Sequence, residues 1–334
     1  MNFALVKLSS LGDVVHALPV AATLRARLPG ARLSWIVEQR EAALLAGHPG
    51  LDEVLTVDTR LWRRARSASG IAGAAVALGM LRRRLTAGHF DVAFDLQGLL
   101  KSGLLVRLTR APVRIGFNAG LCREPLSALF TNRRVTPPPE ATHVVDQYLA
   151  LLEPLGIRQR VVAFNLPSDP GAETRIDDFF TAAGLKPRNR VVVLNPGAGR
   201  RNKRWPADRF RTLATWLADE AAAHVLVVWG PGEEAAARAI VGEPAAGRRV
   251  LAPATTLYEL IAVLRRASLL VAGDTGPLHL AAALGTPCIG IYGPTRAERN
   301  GPYGSGHRAL QGQGGRVDAV GVDAVVAAAT ELLR

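Results

Sequence analysis

Residues 269–292, LLVAGDTGPLHLAAALGTPCIGIY, contain the pattern that decides the fold class. Two short apolar runs, 269–272 and 288–292, predict buried strands, and the segment between them, 277–284, predicts a helix. A proline opens that helix, and a glycine followed by a proline ends it, which are the places where these residues are tolerated best. A strand, a helix and a second strand in this order predict a parallel β-α-β unit.

The same alternation of apolar runs and helical patterns extends over the whole chain. Further strands are predicted at 2–6, 32–37, 51–57, 91–96, 191–194 and 225–228, and further helices at 14–28, 144–155, 206–218, 257–266 and 322–333. Strands that alternate with helices favour doubly wound parallel sheets. We therefore predict an α/β protein.

The chain length and one turn-rich segment predict two domains in tandem. A domain has roughly 150 residues, and the chain has 334. Turn-forming residues concentrate at 165–171, after which the strand and helix pattern starts again. We expect a first domain over 1–165, a linker over 166–180 and a second domain over 181–334. Ligands of such sheets bind in the loops after the strands, and we expect the ligand between the domains.

Charge is the most informative feature of the composition. The 41 basic and 28 acidic residues leave a net charge of +13, with basic clusters over 60–84 and 101–134. This excess favours anionic partners, although a basic face that only contacts solvent remains an alternative. Aromatic residues make up only 5% and no nucleic-acid-binding motif is present, so we expect no nucleic acid partner. Two cysteines are too few for a zinc cluster or a disulfide framework.

The sequence contains no signal for export or membrane insertion. Its longest uncharged apolar stretch, 70–81, is shorter than the roughly 20 residues that a membrane-spanning helix needs. The first residues lack a basic region followed by an apolar run and a cleavage site. We expect a cytoplasmic protein.

The loop after the first strand, KLSSLGDVVH at 7–16, contains a candidate catalytic carboxylate. Gly12 permits a tight turn, and Asp13 stands where the N-cap of the next helix would be. Asp13 is therefore either a helix cap or a general base that acts on an incoming hydroxyl. The loop does not have the three glycines of a dinucleotide-binding fingerprint, which disfavours a nicotinamide enzyme.

Two loops of the second half favour binding of a phosphate group. The segment NPGAGRRNKRW at 195–205 combines glycine amides with Lys203 but lacks the spacing of a Walker loop, so it favours a bound diphosphate over ATP hydrolysis. A basic turn before a helix is the alternative. In the second loop, the N–H groups of Thr275 and Gly276 stand at a helix N-terminus, which attracts anions. His279, in the first turns of that helix, is either a ligand-binding or a core histidine.

These segments resemble the ADP-heptose:lipopolysaccharide heptosyltransferases, glycosyltransferase family 9. The resemblance rests on GDTGPLHLAAALGTP at 273–287 and SSLGD at 9–13, and it covers almost the whole chain. It implies a GT-B architecture, in which two Rossmann-like domains face a central cleft. The N-terminal domain would bind an anionic lipid A–Kdo acceptor and the C-terminal domain the ADP-heptose donor. The enzyme would be peripheral on the cytoplasmic face of the inner membrane, without a cofactor.

The resemblance also bears on which heptose is transferred. Segments 9–16, 60–64, 95–102 and 123–130 are most similar to enzymes that add the first heptose, heptosyltransferase I. The NPGAG loop at 195–199 is closer to heptosyltransferase II, which adds the second. We expect inverting, metal-independent transfer of the first heptose. Transfer of the second heptose, or of another nucleotide-sugar, is the alternative, and a nucleic-acid-binding protein is a remote one.

Residue roles follow from the same resemblance. Asp13 would be the catalytic base. The donor-binding residues would be Gly197, Lys203, Glu233, Thr255, Asp274, Thr275, Gly276 and His279. The acceptor-binding residues would be Ser10, Gly12, Arg60, Arg63, Arg64, Gln97, Lys101 and Arg123.

Overall fold

Two parallel six-stranded sheets, each in its own compact unit, form the framework of the protein. The computed structural model describes residues 1–59, 68–242 and 247–334. The first unit is Met1–Pro167 and the second is Ser168–Arg334. The predicted α/β fold class is confirmed.

The first sheet has the strand order β3-β2-β1-β4-β5-β6, and all of its neighbouring strands are parallel. Its strands are β1 (Asn2–Val6), β2 (Arg32–Glu38), β3 (Glu53–Val57), β4 (Val92–Asp95), β5 (Val113–Phe117) and β6 (Arg133–Val135). The helices of this unit are α1 (Leu11–Arg27), α2 (Ala68–Ala87), α3 (Leu100–Leu108) and α4 (Val144–Ala150). Short 3₁₀ helices occupy Gln39–Leu45, Ala119–Leu121, Pro125–Phe130 and Glu153–Leu155.

The second sheet repeats this order as β12-β11-β10-β7-β8-β9, again with parallel neighbours. Its strands are β7 (Val191–Asn195), β8 (His224–Val227), β9 (Arg249–Leu251), β10 (Leu269–Gly273), β11 (Cys288–Tyr292) and β12 (Arg308–Gln311). The helices are α5 (Pro170–Ala182), α6 (Ala207–Asp219), α7 (Glu234–Val241), α8 (Leu257–Arg266), α9 (Gly276–Leu284), α10 (Ala297–Asn300) and α11 (Val322–Leu332). Short 3₁₀ helices occupy Arg201–Lys203, Gln313–Gly315 and Val317–Ala319.

The central strands are buried on both faces because helices cover both sides of each sheet. Every residue of β7, β10 and β11 is buried, as are the last four residues of β1. This explains why these strands appear in the sequence as continuous apolar runs instead of alternating patterns. Apolar runs were therefore a reliable signal for the middle of each sheet.

Each sheet has one topological switch point, at which the strand order reverses. In the first sheet this point lies between β1 and β4, and in the second it lies between β7 and β10. The loops after two adjacent strands leave toward opposite faces there, which opens a crevice at the carboxyl ends of the strands. The sequence motifs at 7–16, 95–102, 195–205 and 273–287 all start at these four strand ends.

The predicted linker over 166–180 differs from the structure, since most of it is helical. Asp169 caps α5 by accepting a hydrogen bond from the N–H of Ala172 at 2.7 Å, and Pro170 occupies the first turn. Helix α5 packs on α8, where Arg266 pairs with Glu173 at 2.5 Å. Residues 170–180 therefore belong to the second unit. The boundary between the two units in the sequence lies between residues 167 and 168.

No helix in the described part of the chain is both long enough and apolar enough to cross a bilayer.

Candidate functional site

Asp13 lies in the first turn of α1, at the carboxyl end of β1. The prediction that it is the N-cap is wrong, because Ser10 is the N-cap and Asp13 is the third helical residue. The Asp13 carboxylate accepts hydrogen bonds from the N–H of Ser10 at 3.0 Å and from its hydroxyl at 2.9 Å. The N–H of Asp13 bonds to the Ser10 side chain in return, and this reciprocal arrangement is a capping box. The side chain of Asp13 keeps 39% exposure, so one carboxylate both stabilises the helix start and faces outward.

Lys7 brings a buried positive charge to this carboxylate. Its ammonium lies 3.8 Å from Asp13, donates to the hydroxyl of Tyr148 at 2.7 Å and donates to the carbonyl of Leu96 at 3.2 Å. The Lys7 side chain is only 4% exposed. Burial lowers the pKa of Lys7, but Tyr148 and Asp13 outweigh it, so that the pKa is raised and the ammonium stays charged.

Gln97 connects the loop after β4 to the loop after β1. Its side-chain oxygen accepts a hydrogen bond from the N–H of Leu8 at 2.7 Å. The turn itself is held by Asp95, which accepts from the N–H groups of Gln97 and Gly98 at 3.0 Å each. Burial raises the pKa of Asp95, and these N–H groups oppose that rise. Gln97 is therefore placed beside the loop that contains Asp13.

Lys101 lies on α3 and interacts with the ends of β2 and β3. Its ammonium donates to Glu38 and to the hydroxyl of Thr59, both at 3.3 Å. The hydroxyl of Thr59 in turn donates to the buried Glu38 carboxylate. The charge of Lys101 is therefore partly neutralised within the protein.

The other predicted acceptor-binding residues differ in their burial and position. Gly12 is buried in the first turn of α1, and Ser10 is exposed. Arg123 is exposed in the loop between the 3₁₀ helices Ala119–Leu121 and Pro125–Phe130. The prediction for Arg60, Arg63 and Arg64 falls on residues outside the described ranges.

In the second unit, three predicted donor-site residues form one cluster at the end of β10. The carboxylate of Asp274 accepts from the ammonium of Lys203 at 2.5 Å and lies 3.1 Å from Nε2 of His279. Asp274 is 10% and His279 5% exposed. Burial raises the pKa of Asp274, but His279 and Lys203 outweigh it and hold the pKa well below its usual range. Asp274 therefore stays negative and fixes the directions of both partners.

The N-terminus of α9 stands next to this cluster. Thr275 is its N-cap in extended conformation, and its hydroxyl accepts from the side-chain amide of the buried Asn195 at 3.1 Å. The Thr275 hydroxyl also donates to the carbonyl of Gly273 at 3.2 Å, and this N-cap residue makes no side-chain hydrogen bond to the start of α9. Helix starts of this kind are ready to receive an anion at their N–H groups.

Gly197 and Glu233 come together from the loops after β7 and β8. A side chain at position 197 would place its Cβ 1.9 Å from Oε2 of Glu233, so any residue larger than glycine would displace this carboxylate. Glu233 accepts from the N–H of Gly230 at 3.0 Å and lies 3.5 Å from the guanidinium of Arg204. Arg204 also donates to the carbonyl of Ala198 at 2.9 Å, which ties the two loops together.

Thr255 follows β9 and stands half-buried next to the start of α8. The adjacent Thr256, and not Thr255, caps that helix, with Glu259 as its capping-box partner. The side chain of Thr255 is therefore not used to cap the helix. All predicted donor-site residues lie at the carboxyl edge of the second sheet, and the described acceptor-site residues at that of the first.

Three residues that hold side chains at these edges were not predicted from the sequence, namely Lys7, Tyr148 and Asn195. Lys7 and Asn195 each stand at the carboxyl end of a buried strand, where a polar residue directly after an apolar run is a usable signal. Tyr148 is 141 residues from Lys7 in sequence, and nothing local connects the two.

Two adjacent Rossmann-like units in one chain form the GT-B fold, and the comparisons with known proteins identify the chain as a glycosyltransferase. The family model for glycosyltransferase family 9 (heptosyltransferase) matches residues 78–317. Lipopolysaccharide heptosyltransferase 1 of Escherichia coli K12 is 32% identical over 91% of this chain and 91% of its own length. The protein of that name from Pseudomonas aeruginosa is 32% identical over 91% of this chain and 82% of its own length.

A solved structure extends this similarity to the three-dimensional fold. The E. coli heptosyltransferase WaaC with ADP-2-deoxy-2-fluoro heptose is 30% identical and aligns with a TM-score of 0.79, over 99% of both chains. The chain belongs to glycosyltransferase family 9, the heptosyltransferases.

Proposed function

We propose that this enzyme transfers a heptose from ADP-heptose to the Kdo–lipid A inner core of lipopolysaccharide, with inversion at the anomeric carbon. The observation that carries the proposal is the cluster of Lys203, Asp274 and His279 beside the N-terminus of α9. Relatives named heptosyltransferase 1 and a heptosyltransferase structure with an ADP-heptose analogue support this donor.

The donor's diphosphate would bind at the second-sheet edge. The N–H groups of Thr275 and Gly276 and the ammonium of Lys203 supply positive charge there, and Asp274 keeps that ammonium in place. These fixed donors stabilise the negative charge that develops on the departing ADP, without needing to reorganise during the reaction. The Gly197–Glu233 contact would lie beside the nucleoside, where the Glu233 carboxylate can accept from a ribose hydroxyl. Thr255 would line the adenine pocket.

The acceptor would be activated at the first-sheet edge by Asp13. The acceptor oxygen attacks the anomeric carbon while its proton passes to the Asp13 carboxylate. The bond between the anomeric carbon and the diphosphate oxygen breaks, and its electron pair leaves with ADP. A single displacement of this kind inverts the anomeric centre.

Lys7 would act on this step through Asp13. A buried ammonium 3.8 Å away stabilises the negative charge of the carboxylate before proton transfer. The hydrogen bond to Tyr148 fixes the ammonium, so the Asp13 side chain is oriented from two sides, by Lys7 and by Ser10. We regard Lys7 as a positioning residue.

The acceptor class follows from charge and from the relatives. Ser10, Gly12, Gln97, Lys101 and Arg123, together with Arg60, Arg63 and Arg64, would hold a glycolipid that bears phosphates and acidic sugars. The net charge of +13 suits such an anionic acceptor. Because this acceptor is a lipid, the enzyme would be peripheral on the cytoplasmic face of the inner membrane. Transfer of the first heptose is supported by the relatives named heptosyltransferase 1.

Product analysis tests the proposal directly. The enzyme is mixed with ADP-heptose and either Kdo–lipid A without heptose or the same acceptor carrying one heptose, and the masses of the products are measured. We expect the heptose-free acceptor to gain one heptose, with release of one ADP per transfer. Gain only by the acceptor that already carries a heptose would assign the second transfer. No gain by either acceptor would refute the proposal.

A further inference from the structure

Exposed leucines concentrate in one part of the first unit. Among the described residues, ten large hydrophobic side chains are exposed, and five of them are leucines between positions 100 and 129. They are Leu100, Leu104, Leu121, Leu126 and Leu129, with exposures of 43%, 39%, 52%, 62% and 71%. We call these five residues the leucine surface. Single exposed leucines are common, but a group of them marks an interaction site.

The helical spacing places these side chains on the outer faces of elements that pack together. Leu100 and Leu104 are four residues apart on α3 and therefore lie on one face of it. Leu126 and Leu129 are three residues apart in the 3₁₀ helix Pro125–Phe130, which places them on one side of that helix. The two elements pack closely, because a Cβ at Gly103 would meet the Phe130 ring at 2.6 Å.

The leucines are not needed for this packing. The inner face of α3 already buries Leu105 and Val106, and the 3₁₀ helix buries Ser127 and Ala128. Leu121 ends the turn Ala119–Leu121, which packs on the same 3₁₀ helix and leaves this side chain outward. None of the five leucines belongs to the buried core of the unit.

The chain segment that contains the leucine surface is also rich in arginine. Arg107 continues the outer face of α3, three residues after Leu104, and is exposed. Arg114 donates to the carbonyl of Phe130 at 2.9 Å, at the end of the 3₁₀ helix Pro125–Phe130, and burial and the charge of Arg107 lower its pKa. Arg123, between the two 3₁₀ helices, and Arg133 and Arg134, the first residues of β6, are also exposed. Within the described residues, no salt bridge to an acidic side chain is formed by any of these five arginines.

The single acidic residue of segment 101–134 is already used within the fold. The carboxylate of Glu124 accepts a hydrogen bond from the N–H of Leu100 at 2.6 Å, at the start of α3. The N–H of Glu124 donates to the carbonyl of Gly98, directly after Gln97. These bonds join the leucine surface to the loop that approaches Asp13, so the surface borders the proposed acceptor site.

We propose that the leucine surface inserts into the interfacial layer of an anionic lipid bilayer, with the arginines of the same chain segment on the lipid headgroups. Apolar side chains together with cations are the combination that binds anionic membrane surfaces. The inference rests on the proposed function in one respect. Because the proposed acceptor is a lipid, membrane binding beside the acceptor site would bring the enzyme to its substrate. Docking there would present the sugar head of a membrane-embedded acceptor to Asp13.

Vesicle flotation tests the proposal with the full chain. The vesicles contain phosphatidylethanolamine and phosphatidylglycerol at 3:1, or phosphatidylcholine alone, and no acceptor. We expect the wild type to float with the anionic vesicles and the double variant Leu126→Asp/Leu129→Asp to lose at least tenfold in partitioning. Leu126→Ser/Leu129→Ser should lose partitioning as well, and it replaces the aspartate variant if that one does not fold. Val162→Asp, at a residue with 44% exposure outside the leucine surface, is the matched control and should float like the wild type.

The arginines provide a second, independent readout. Arg107→Gln/Arg133→Gln should weaken partitioning to the anionic vesicles by about fivefold for each arginine, and it should flatten the salt dependence. Equal flotation of the wild type and the leucine variants, or no flotation of the wild type, would overturn the proposal. A wild-type dimer that becomes monomeric in the leucine variant, measured by sedimentation velocity, would assign the surface to self-association and would also overturn it.

Activity assays separate a failure of the docking surface from a failure of the proposed function. On a deacylated, water-soluble acceptor, Leu126→Asp/Leu129→Asp should keep the wild-type kcat/KM. On acceptor embedded in vesicles, it should lose about as much activity as it loses in flotation. A wild type that floats but transfers no heptose to either acceptor would refute the function and leave the surface intact. Equal loss of activity on both acceptors would mean that the leucines serve the fold or the site, and not the membrane.

Discussion

The two sheets share one strand order but carry opposite kinds of chemistry at their carboxyl edges. At the first edge a carboxylate, Asp13, stays half-exposed while its cation, Lys7, is buried. At the second edge the carboxylate, Asp274, is the more buried partner and its cation, Lys203, keeps 24% exposure. The same pair of charges thus presents an outward carboxylate in one unit and an outward cation in the other, and we propose that the carboxylate is the general base. The fold supplies the positions, and the loops decide the function.

The largest effect should come from removing the outward base. Asp13→Asn keeps the capping-box shape but cannot take up a proton from the acceptor. We expect kcat to fall by about 10²–10⁴, the usual contribution of a general base, measured by release of ADP. An unchanged kcat would mean that Asp13 serves only to cap α1. Asp169→Asn, at the N-cap of α5 and outside both loops, is the control for helix capping and should leave kcat unchanged.

The outward cation should rank second. Lys203→Met removes the charge opposite the diphosphate, and we expect kcat/KM to fall by about 10²–10³, as for the loss of one group that stabilises transition-state charge. Arg201→Met, in the same 3₁₀ helix, is the matched control for a general loss of positive charge. If both variants lose the same activity, the effect is one of net charge and the assignment of Lys203 fails.

Asp274 should matter for stability as well as for binding. Asp274→Asn leaves Lys203 and His279 without their anion, and we expect a loss of roughly 2 kcal/mol, or about 4–8 °C in Tm. Because the pKa of folded Asp274 is held below its usual 3.8, its contribution is fully present above pH 3.8 and disappears only as the pH falls well below that value.

The Tm difference between Asp274→Asn and the wild type should therefore be constant from pH 8 to pH 5. Asp178→Asn, at an exposed position of α5, should leave Tm unchanged over the same range. A Tm difference between the two proteins that already decreases between pH 7 and pH 5 would contradict the conclusion that Asp274 is charged over this range.

A smaller effect is expected at Gly197. Gly197→Ala would force the Glu233 carboxylate out of its position, and since that carboxylate ends a flexible side chain the cost is one of donor binding more than of folding. We expect the KM for ADP-heptose to rise by about tenfold, equivalent to the loss of one hydrogen bond to a charged group. Gly199→Ala is the control, because no atom lies within 4 Å of its Cβ. Equal KM values for the two variants would remove Glu233 from the donor site.

The smallest effect should come from Lys7, which touches the chemistry only through Asp13. Lys7→Met fills the same space without charge, and we expect kcat at neutral pH to fall by about three- to tenfold. The acid limb of the pH–rate profile should move to higher pH, because a neighbouring cation favours the charged form of a carboxylate. Tyr148→Phe keeps the Lys7 ammonium, and the acid limb of its pH–rate profile should lie at the same pH as in the wild type. A limb that does not move in Lys7→Met would reduce Lys7 to a structural role.

The sequence predicted the middle of each sheet better than its margins. Buried central strands such as β1, β7 and β10 are continuous apolar runs, and all were predicted within about one residue. The strands β5, β6, β9 and β12 were missed because they are short or interrupted by arginine, as in VRIGF at Val113–Phe117. The start of helix α5 was predicted as a linker because it lies in a turn-rich segment. Its proline and aspartate are helix-start residues as well as turn formers.

The candidate site was predictable in its residues but not in its pairings. Lys203 was expected as a cation for a diphosphate, and the sequence contained no sign that Asp274, 71 residues later, would hold it. Asp13 was placed at the N-cap although Ser10 takes that position. Burial and charge pairing between distant residues arise only when the sheets assemble, and local sequence patterns do not encode them.

Binding of ADP in the absence of an acceptor tests the division between the two edges most directly. Isothermal titration of ADP into the wild type, Asp13→Asn and Lys203→Met compares both edges in one measurement. We expect Asp13→Asn to bind ADP within about twofold of the wild type and Lys203→Met to bind it at least tenfold more weakly. Wild-type affinity in Lys203→Met together with lost affinity in Asp13→Asn would contradict this expectation.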